Sequence, residues 1–473
     1  MRIQTKVHTV FMFIGATECG KSTFAEKILR PQLQFSEATK GFRANVQMLS
    51  LDLIRQERLG CEYDKYDQVM LESSPQAFAM LYEKLHLVTS YPINAEFVVV
   101  DTFGLSSEFR EKVRDIACEN QYRVEVVLFD YKDRDDYFTS GRSRKLISNH
   151  LNRLRGEVMG SLAKEKYDQI HKIRKKDFLD HPEYHVDILN KEVFLATLLP
   201  HDHDYIVIGD VHECVNELQG LLKQFKFGIK EGCVSQTEKS ANKKLILVGD
   251  WIDKGNQTAE MIEFLYQNGK HFLLVLGNHE SFVYKYLKGQ IKGVDRHLVE
   301  NYFTSLEILG SDVALREKFN QLVEGSLPFF RYMGRRDERK SFYVTHAPCK
   351  NKYLGKMDAA SLRHQRAFHL DRNQDIEKQI NFILAEGVEN HPFHFFGHVA
   401  AKEAFRVKNK IHLDAGCVSG NKLTGVDVSD DLFFKSQKSE RSAIPETLPL
   451  LFKCRKEVAL ADLNQEQHDR LGY

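Results

Sequence analysis

Five short polar motifs, each closing an apolar run, mark the second half of this 473-residue chain: I-G-D-V-H at 208–212, V-G-D-W-I-D-K-G at 248–255, L-G-N-H-E at 276–280, V-T-H-A-P at 344–348 and F-G-H-V at 396–399. No other feature narrows the fold as far. A short apolar run bounded by turn residues reads as a buried strand, and a ligand-type side chain just past its end lies on one edge of a sheet. Five such ends bring Asp, Asn and His together, the mixed oxygen and nitrogen set that suits two divalent cations sharing a carboxylate. Such a pair, about 3.5–4 Å apart, clamps a phosphate and provides a nucleophile at neutral pH. One of these histidines alone would more often be a structural residue; five motifs in register outweigh that reading.

The set resembles the calcineurin-like metallophosphoesterase superfamily, in the branch that includes the phosphoprotein phosphatases. By motif position the resemblance implies Asp210 and His212 on a first metal, Asp250 bridging both, and Asn278, His346 and His398 on the second. Mn2+, Fe or Ni2+ would suit these ligands. It further implies His279 as general acid for the leaving oxygen, Asp253 as the carboxylate that orients it, and Lys254 as a phosphate contact. Lys254 stands where the family often has Arg, and Leu276 where an Arg often precedes Gly-Asn-His-Glu. A lysine is a point charge rather than a bidentate fork, so a looser grip on phosphate is expected. Ala400 stands where nuclease members commonly carry a further histidine, which favours a phosphatase. Asp414, in L-D-A-G, is expected close to the metals, whereas His201 and His203 precede the first strand and read as linker.

The first half carries a different signature. V-F-M-F-I-G-A-T-E-C-G-K-S-T-F at 10–24 is an apolar strand that stops at Gly15, passes four residues and reaches Gly20, Lys21, Ser22 and Thr23. A glycine-bounded loop of this spacing turns successive N–H groups toward the phosphates of ATP, with the lysine as a point charge and the serine hydroxyl on Mg2+. The helix that opens there adds its positive dipole end. Asp52, in L-S-L-D-L-I-R, reads either as a helix cap or as an acceptor for the proton of an attacking hydroxyl, with Arg55 one turn later. That Asp-x-x-Arg spacing resembles polynucleotide 5′-kinases, which implies Asp52 as general base and Arg55 as a contact to the acceptor's 3′-phosphate. Asp101 closes F-V-V-V-D and is expected as a ligand toward Mg2+ or as a plain turn residue. Residues 141–176 hold eleven Lys/Arg against three acids. They read as a solvated helix, or as a lid that brings Arg142 or Arg144 to the transferring phosphoryl group.

Together these features predict an α/β protein: a P-loop NTPase-type parallel-sheet domain at 1–180, a linker at 181–203, an α/β metallophosphoesterase sandwich flanked by helices at 204–434, and a tail at 435–473. Strands are expected near 9–14, 45–49, 97–100 and 124–129, then 205–208, 245–248, 272–276, 341–345, 393–396 and 410–413. The net charge of +1 gives no global pull toward nucleic acid or membrane. Eight scattered cysteines without a C-x-x-C pair, and no signal or spanning segment, point to a reducing, cytoplasmic setting. A kinase-like module followed by a metallophosphoesterase resembles the bacterial polynucleotide kinase–phosphatases, without their ligase domain. The resemblance implies phosphorylation of 5′-OH ends of RNA or DNA and removal of 3′-phosphate or 2′,3′-cyclic phosphate, with sealing left to a separate ligase. Two rival readings are a small-molecule kinase fused to a phosphoprotein or dinucleoside-polyphosphate phosphatase, and an ATP-gated binding protein. RNA against DNA, and monomer against homo-oligomer, stay open.

Overall fold

In the computed structural model of the chain, residues 2–59, 67–138, 144–176, 184–334, 341–371, 373–389, 392–428, 432–442 and 448–452 are described. The chain divides into two compact units. The first takes in Phe42–Leu195, the residues up to Ala38 and the short stretch Lys356–Asp358; the second takes in Thr39–Gly41, Ala196–Gly355 and the chain from Ala359.

In the first unit the longer strands are β1 (Arg2–Thr5), β2 (Thr9–Ile14), β3 (Val46–Ser50), β4 (Phe97–Asp101), β5 (Arg123–Phe129), β6 (Gln169–Ile173) and β7 (His185–Ile188). Five of them form an all-parallel sheet in the order β3-β4-β2-β5-β6. Central β2, T-V-F-M-F-I, is buried at every position, as a strand covered on both faces must be. The order sets the carboxyl ends of β2, β3 and β4 side by side, so the glycine-bounded loop, Asp52 and Asp101 leave the sheet along one edge. Edge strand β6, Q-I-H-K-I, lies inside the basic stretch and hides its signal there; only His171 and Ile173 are buried. The rest of that stretch is the helix Arg144–Arg153, a π-helical turn at Leu154–Val158 and the short helix Met159–Leu162. Within the expected linker stand β7, paired in parallel with β1, and the helix Lys191–Ala196.

The second unit adds β8 (Asp204–Ile208), β9 (Lys243–Leu247), β10 (Phe272–Leu274), β11 (Phe329–Tyr332), β12 (Phe342–Thr345), β13 (Phe393–Phe396), β14 (Phe405–Val407), β15 (Lys410–His412), β16 (Lys422–Asp427) and β17 (Phe433–Lys438). They form two mixed five-stranded sheets, β10-β9-β8-β16-β17 and β11-β12-β13-β15-β14. Period-2 alternation makes the sandwich. Tyr205, Val207, Ile246 and Val248 share a core with Phe330, Phe342, Val344, Phe395 and Ile411 of the other sheet. Ile206, Ile208, Leu245 and Leu247 face the other way, into a core with residues of the helices Val215–Gln224, Thr258–Gln267 and Val313–Gly325. β17 is paired with β16 as far as Lys438, so the sheet reaches past residue 434, where the sequence places the start of a tail. No helix among the described residues is long and apolar enough to cross a membrane.

Candidate metal centre and phosphate site

Asp210, Asp250 and His346 follow β8, β9 and β12 within three residues, Asn278 opens the helix after β10, and His398 follows β13. The structure brings all of them together with His212. One ligand atom each of Asp210, His212 and Asp250 lie within 4.8 Å of one another, and the same holds for Asp250, His346 and His398. Asp250 belongs to both groups, which is the arrangement of a shared carboxylate. The close approach depends on missing side chains. A Cβ at Gly397 would stand 1.8 Å from Asp210 Oδ1, and one at Gly277 would stand 2.3 Å from Asp250 Oδ1.

The second nitrogen of each imidazole is held by a carbonyl. His212 Nδ1 donates to Ile252 O at 3.0 Å, His346 Nδ1 to Val248 O at 3.1 Å and His398 Nε2 to Phe368 O at 2.8 Å. For His212 and His346 this turns the other ring nitrogen inward as an acceptor; His398 Nε2 also lies 3.1 Å from the Phe368 N–H. His346 Nε2 then faces Asn278 Oδ1 at 2.9 Å, acceptor against acceptor, with His398 Nδ1 3.1 Å away on its other side. Such a set needs a cation between its members, so these residues fit divalent metal. Burial, and then Lys254, push His212 well below the usual imidazole range; burial, with His346 beside it, lowers His398 to about 4. Both are therefore neutral ligands at pH 7. Burial raises the Asp210 carboxyl, helped by Asp414 and Asp250, and raises Asp414 to about 6. Carboxylates crowded in this way call for the same positive charge.

His279 Nδ1 is 2.8 Å from Asp253 Oδ2, and Asp253 Oδ1 accepts the Ser305 N–H at 3.0 Å, so the imidazole is fixed from behind. Its Nε2 lies 3.8 Å from Asp250 Oδ2, facing the centre. Lys254 Nζ donates to His212 Nε2 at 2.9 Å, which puts its charge at the edge of the ligand set. Two supports were not singled out in the sequence. Glu280 accepts the N–H groups of Asp250, Trp251 and Ile252 at 3.1, 2.7 and 3.1 Å; Glu213 accepts those of Asp253 and the Thr258 hydroxyl at 2.8 and 2.7 Å. Glu213 directly follows the I-G-D-V-H motif and Glu280 closes L-G-N-H-E, and that adjacency is the signal the sequence offers. His201 lies away from the centre, its Nε2 on Met333 O at 2.5 Å.

The first unit holds a cavity of about 500 Å3 lined by Gly20, Lys21, Ser22, Thr23, Asp52, Arg55 and Asp101, among others. Gly20 has φ +89°, a backbone that favours glycine, and a Cβ at Gly15 would press on Cys19 Sγ and Phe129 Cβ at 2.9 Å. Lys21 Nζ donates to Ala16 O at 2.7 Å, and the Ser22 hydroxyl to Asp101 Oδ2 at 2.5 Å. Burial raises the Asp101 carboxyl, with Ser22 and Lys21 opposing. Asp52 lies in the first turn of the helix Leu51–Leu59 rather than capping it, and Arg55 Nη1 holds its Oδ1 at 2.8 Å. Arg55 Nη2 donates to Ser74 Oγ at 2.9 Å, and its buried Nε has no acceptor among the described residues. Arg142 lies outside the described residues. Arg144 is exposed with its guanidinium over Phe138; from its helix Leu146 and His150, not Arg144, line the cavity. His150, which no motif of the sequence marks, accepts the Thr17 N–H of the glycine-bounded loop through Nδ1 at 3.2 Å.

Strand-end Asp, Asn and His around a shared carboxylate, with a buried His–Asp pair beside them, define a metallophosphoesterase site. Residues 203–400 match the calcineurin-like phosphoesterase family and form a domain of that kind. The chain is 29% identical over 255 residues to the asymmetrical bis(5′-nucleosyl)-tetraphosphatase PrpE of Bacillus subtilis (strain 168), covering 52% of this chain and 96% of that one. The protein of the same name from Oceanobacillus iheyensis is 28% identical over 223 residues, or 46% and 86%. The solved Mycobacterium tuberculosis APS kinase CysC with AMPPNP and APS covers 37% of this chain and 94% of its own, at 14% identity and a TM-score of 0.23. That last likeness is too slight to identify a fold.

Proposed function

We propose that the chain is a two-site enzyme that heals nucleic-acid ends. The observation that carries it is the pairing of two complete constellations. Lys21, Ser22, Asp52, Arg55 and Asp101 share one cavity in the first unit, and Asp210, His212, Asp250, Asn278, His346 and His398 meet in the second. In the first, the glycine loop and Lys21 would hold ATP, Ser22 and Asp101 would hold Mg2+, and Asp52 would take the proton of a 5′-hydroxyl as it attacks the γ-phosphate. Arg55 holds a phosphate of the acceptor. In the second, two divalent cations, Mn2+ or similar, would neutralise phosphate charge and lower the pKa of the attacking water. His279, oriented by Asp253, gives its Nε2 proton to the leaving 3′-oxygen as the P–O bond breaks. The product, 5′-phosphate and 3′-hydroxyl, is what a separate ligase joins.

A second reading has its own support. The relatives matched along nearly their full length are named tetraphosphatases, which favours dinucleoside polyphosphates as the substrate of the second unit. One experiment addresses both. Each end of a 5′-OH, 3′-phosphate oligonucleotide is followed with ATP, Mg2+ and Mn2+, with and without diadenosine tetraphosphate. We expect Lys21→Ala to abolish 5′ labelling while phosphate release continues, and Asp210→Ala to do the reverse. Wild-type protein that neither labels nor releases would sink end healing. Wild-type cleavage of the tetraphosphate alone would leave the second reading standing.

A further inference from the structure

The segment that orients the candidate acid also covers it. Ser305 fixes Asp253 through its N–H, while three residues earlier the Tyr302 ring stacks on the His279 imidazole, centroids 5.6 Å apart and planes 20° apart. Phe303 meets the same imidazole edge-on at 5.2 Å and lies flat on Phe282 at 4.2 Å, which braces the segment against the core. His279 is 1% exposed, whereas Tyr302 is 50% exposed. Leu298, one turn earlier on the helix Arg296–Tyr302, is 68% exposed and extends the same apolar face. Packing alone gives no reason for a half-exposed tyrosine and leucine beside a buried His–Asp pair.

We propose that Tyr302 is a stacking platform for the base of the leaving nucleoside. The proposal rests on the reading of the second unit as a phosphoesterase with His279 as its acid. The leaving oxygen must come within hydrogen-bond reach of His279 Nε2. A nucleoside carries its base one sugar ring from that oxygen, close enough to lie over an aromatic ring packed against the acid. Stacking tolerates any base because every base has a π-face. The substrate class is therefore phosphate esters with a nucleoside on the leaving side, rather than phosphoserine peptides or sugar phosphates.

The test compares two secondary-alcohol monoesters, thymidine 3′-monophosphate and glycerol 2-phosphate, with Mn2+ and wild type, Tyr302→Ala and Tyr302→Phe. Wild type should prefer the nucleotide. The ratio of the two kcat/KM values should fall about tenfold in Tyr302→Ala, chiefly through KM for the nucleotide, and return in Tyr302→Phe. A readout without turnover is saturation-transfer NMR of thymidine on metal-free protein, where the base protons should lose their signal in Tyr302→Ala. Equal loss on both substrates would mean that the ring only supports His279 and would overturn the platform, as would a wild type indifferent to the base. Hydrolysis of glycerol 2-phosphate shows that the phosphoesterase reading stands whatever the base does. No hydrolysis of either substrate removes that reading and the platform with it.

Discussion

At Glu165 burial and hydrogen bonding oppose each other, and hydrogen bonding wins. Burial alone would raise this carboxyl, but hydrogen bonds from Arg110, Tyr167 and Ser161 lower it to about 2. Arg110 binds it through Nε at 2.9 Å and Nη2 at 2.5 Å, and with Nη1 holds Gly104 O at 2.9 Å, just past the loop where Asp101 and Phe103 line the cavity. A depressed carboxyl stabilises the fold above its ordinary value of 4.5, and that stability is lost as pH falls toward 2. Glu165→Gln should therefore lower stability by about 2 kcal/mol at pH 7, allowing for partial solvent screening. The gap to wild type should close between pH 4.5 and 2. Urea midpoints at pH 7 and pH 3 check this; a gap that stays constant would mean that shape, not charge, matters there. Nothing in the sequence announced the pair, since 55 residues separate its members and each is an ordinary surface-type residue. The candidate metal ligands were legible because each sits at a fixed place after an apolar run.

Among the elements, the turn after β9 is the most constrained. Asp250, Asp253 and Lys254 have φ of 46°, 65° and 66°, in the left-handed region that non-glycine residues enter only when the surroundings hold them there. Glu280 holds the first half of the turn, with its carboxylate on the N–H groups of Asp250, Trp251 and Ile252, and Glu213 holds the Asp253 N–H. Glu280→Gln replaces one acceptor with a donor aimed at those N–H groups, so the turn should relax and Asp250 leave its place shared by the two candidate ligand groups. Mn2+ affinity should drop about 10–100-fold, as for other partners that orient metal ligands, while the fold is kept. Calorimetric Mn2+ titration measures it, and unchanged affinity would show that the turn holds itself. The strands that end in such turns were readable from their apolar runs. β6 and β17 were not, because an edge strand that faces water reads as polar: Q-I-H-K-I and F-F-K-S-Q-K resemble loop. The helix bearing Tyr302 escaped for a related reason, since one exposed aromatic carries no period.

For the whole molecule, what matters is that each site is complete within one unit. The cavity of the first is lined by residues between Thr17 and His150, and the candidate metal ligands of the second run from Asp210 to His398. The alternating strands and the two motif families made this division visible in the sequence. Its limits were not visible there, because β7 pairs with β1 across the whole length of the first unit. A ligand stabilises the structure that holds it by mass action, about 100-fold in the opening equilibrium at 100 times its dissociation constant. A non-hydrolysable ATP analogue with Mg2+ should therefore slow hydrogen exchange by up to that factor in peptides covering 15–23, 50–55 and 101–103. Mn2+ at a concentration too low to fill the first site should do the same at 208–213, 248–254, 277–280, 345–347 and 397–399. Protection by the analogue confined to the second group of peptides would move nucleotide binding out of the first unit. Protection by Mn2+ at 15–23 as strong as at 248–254 would show that the second unit's ligands hold no preference for the metal, and the assignment of one chemistry to each unit would fail.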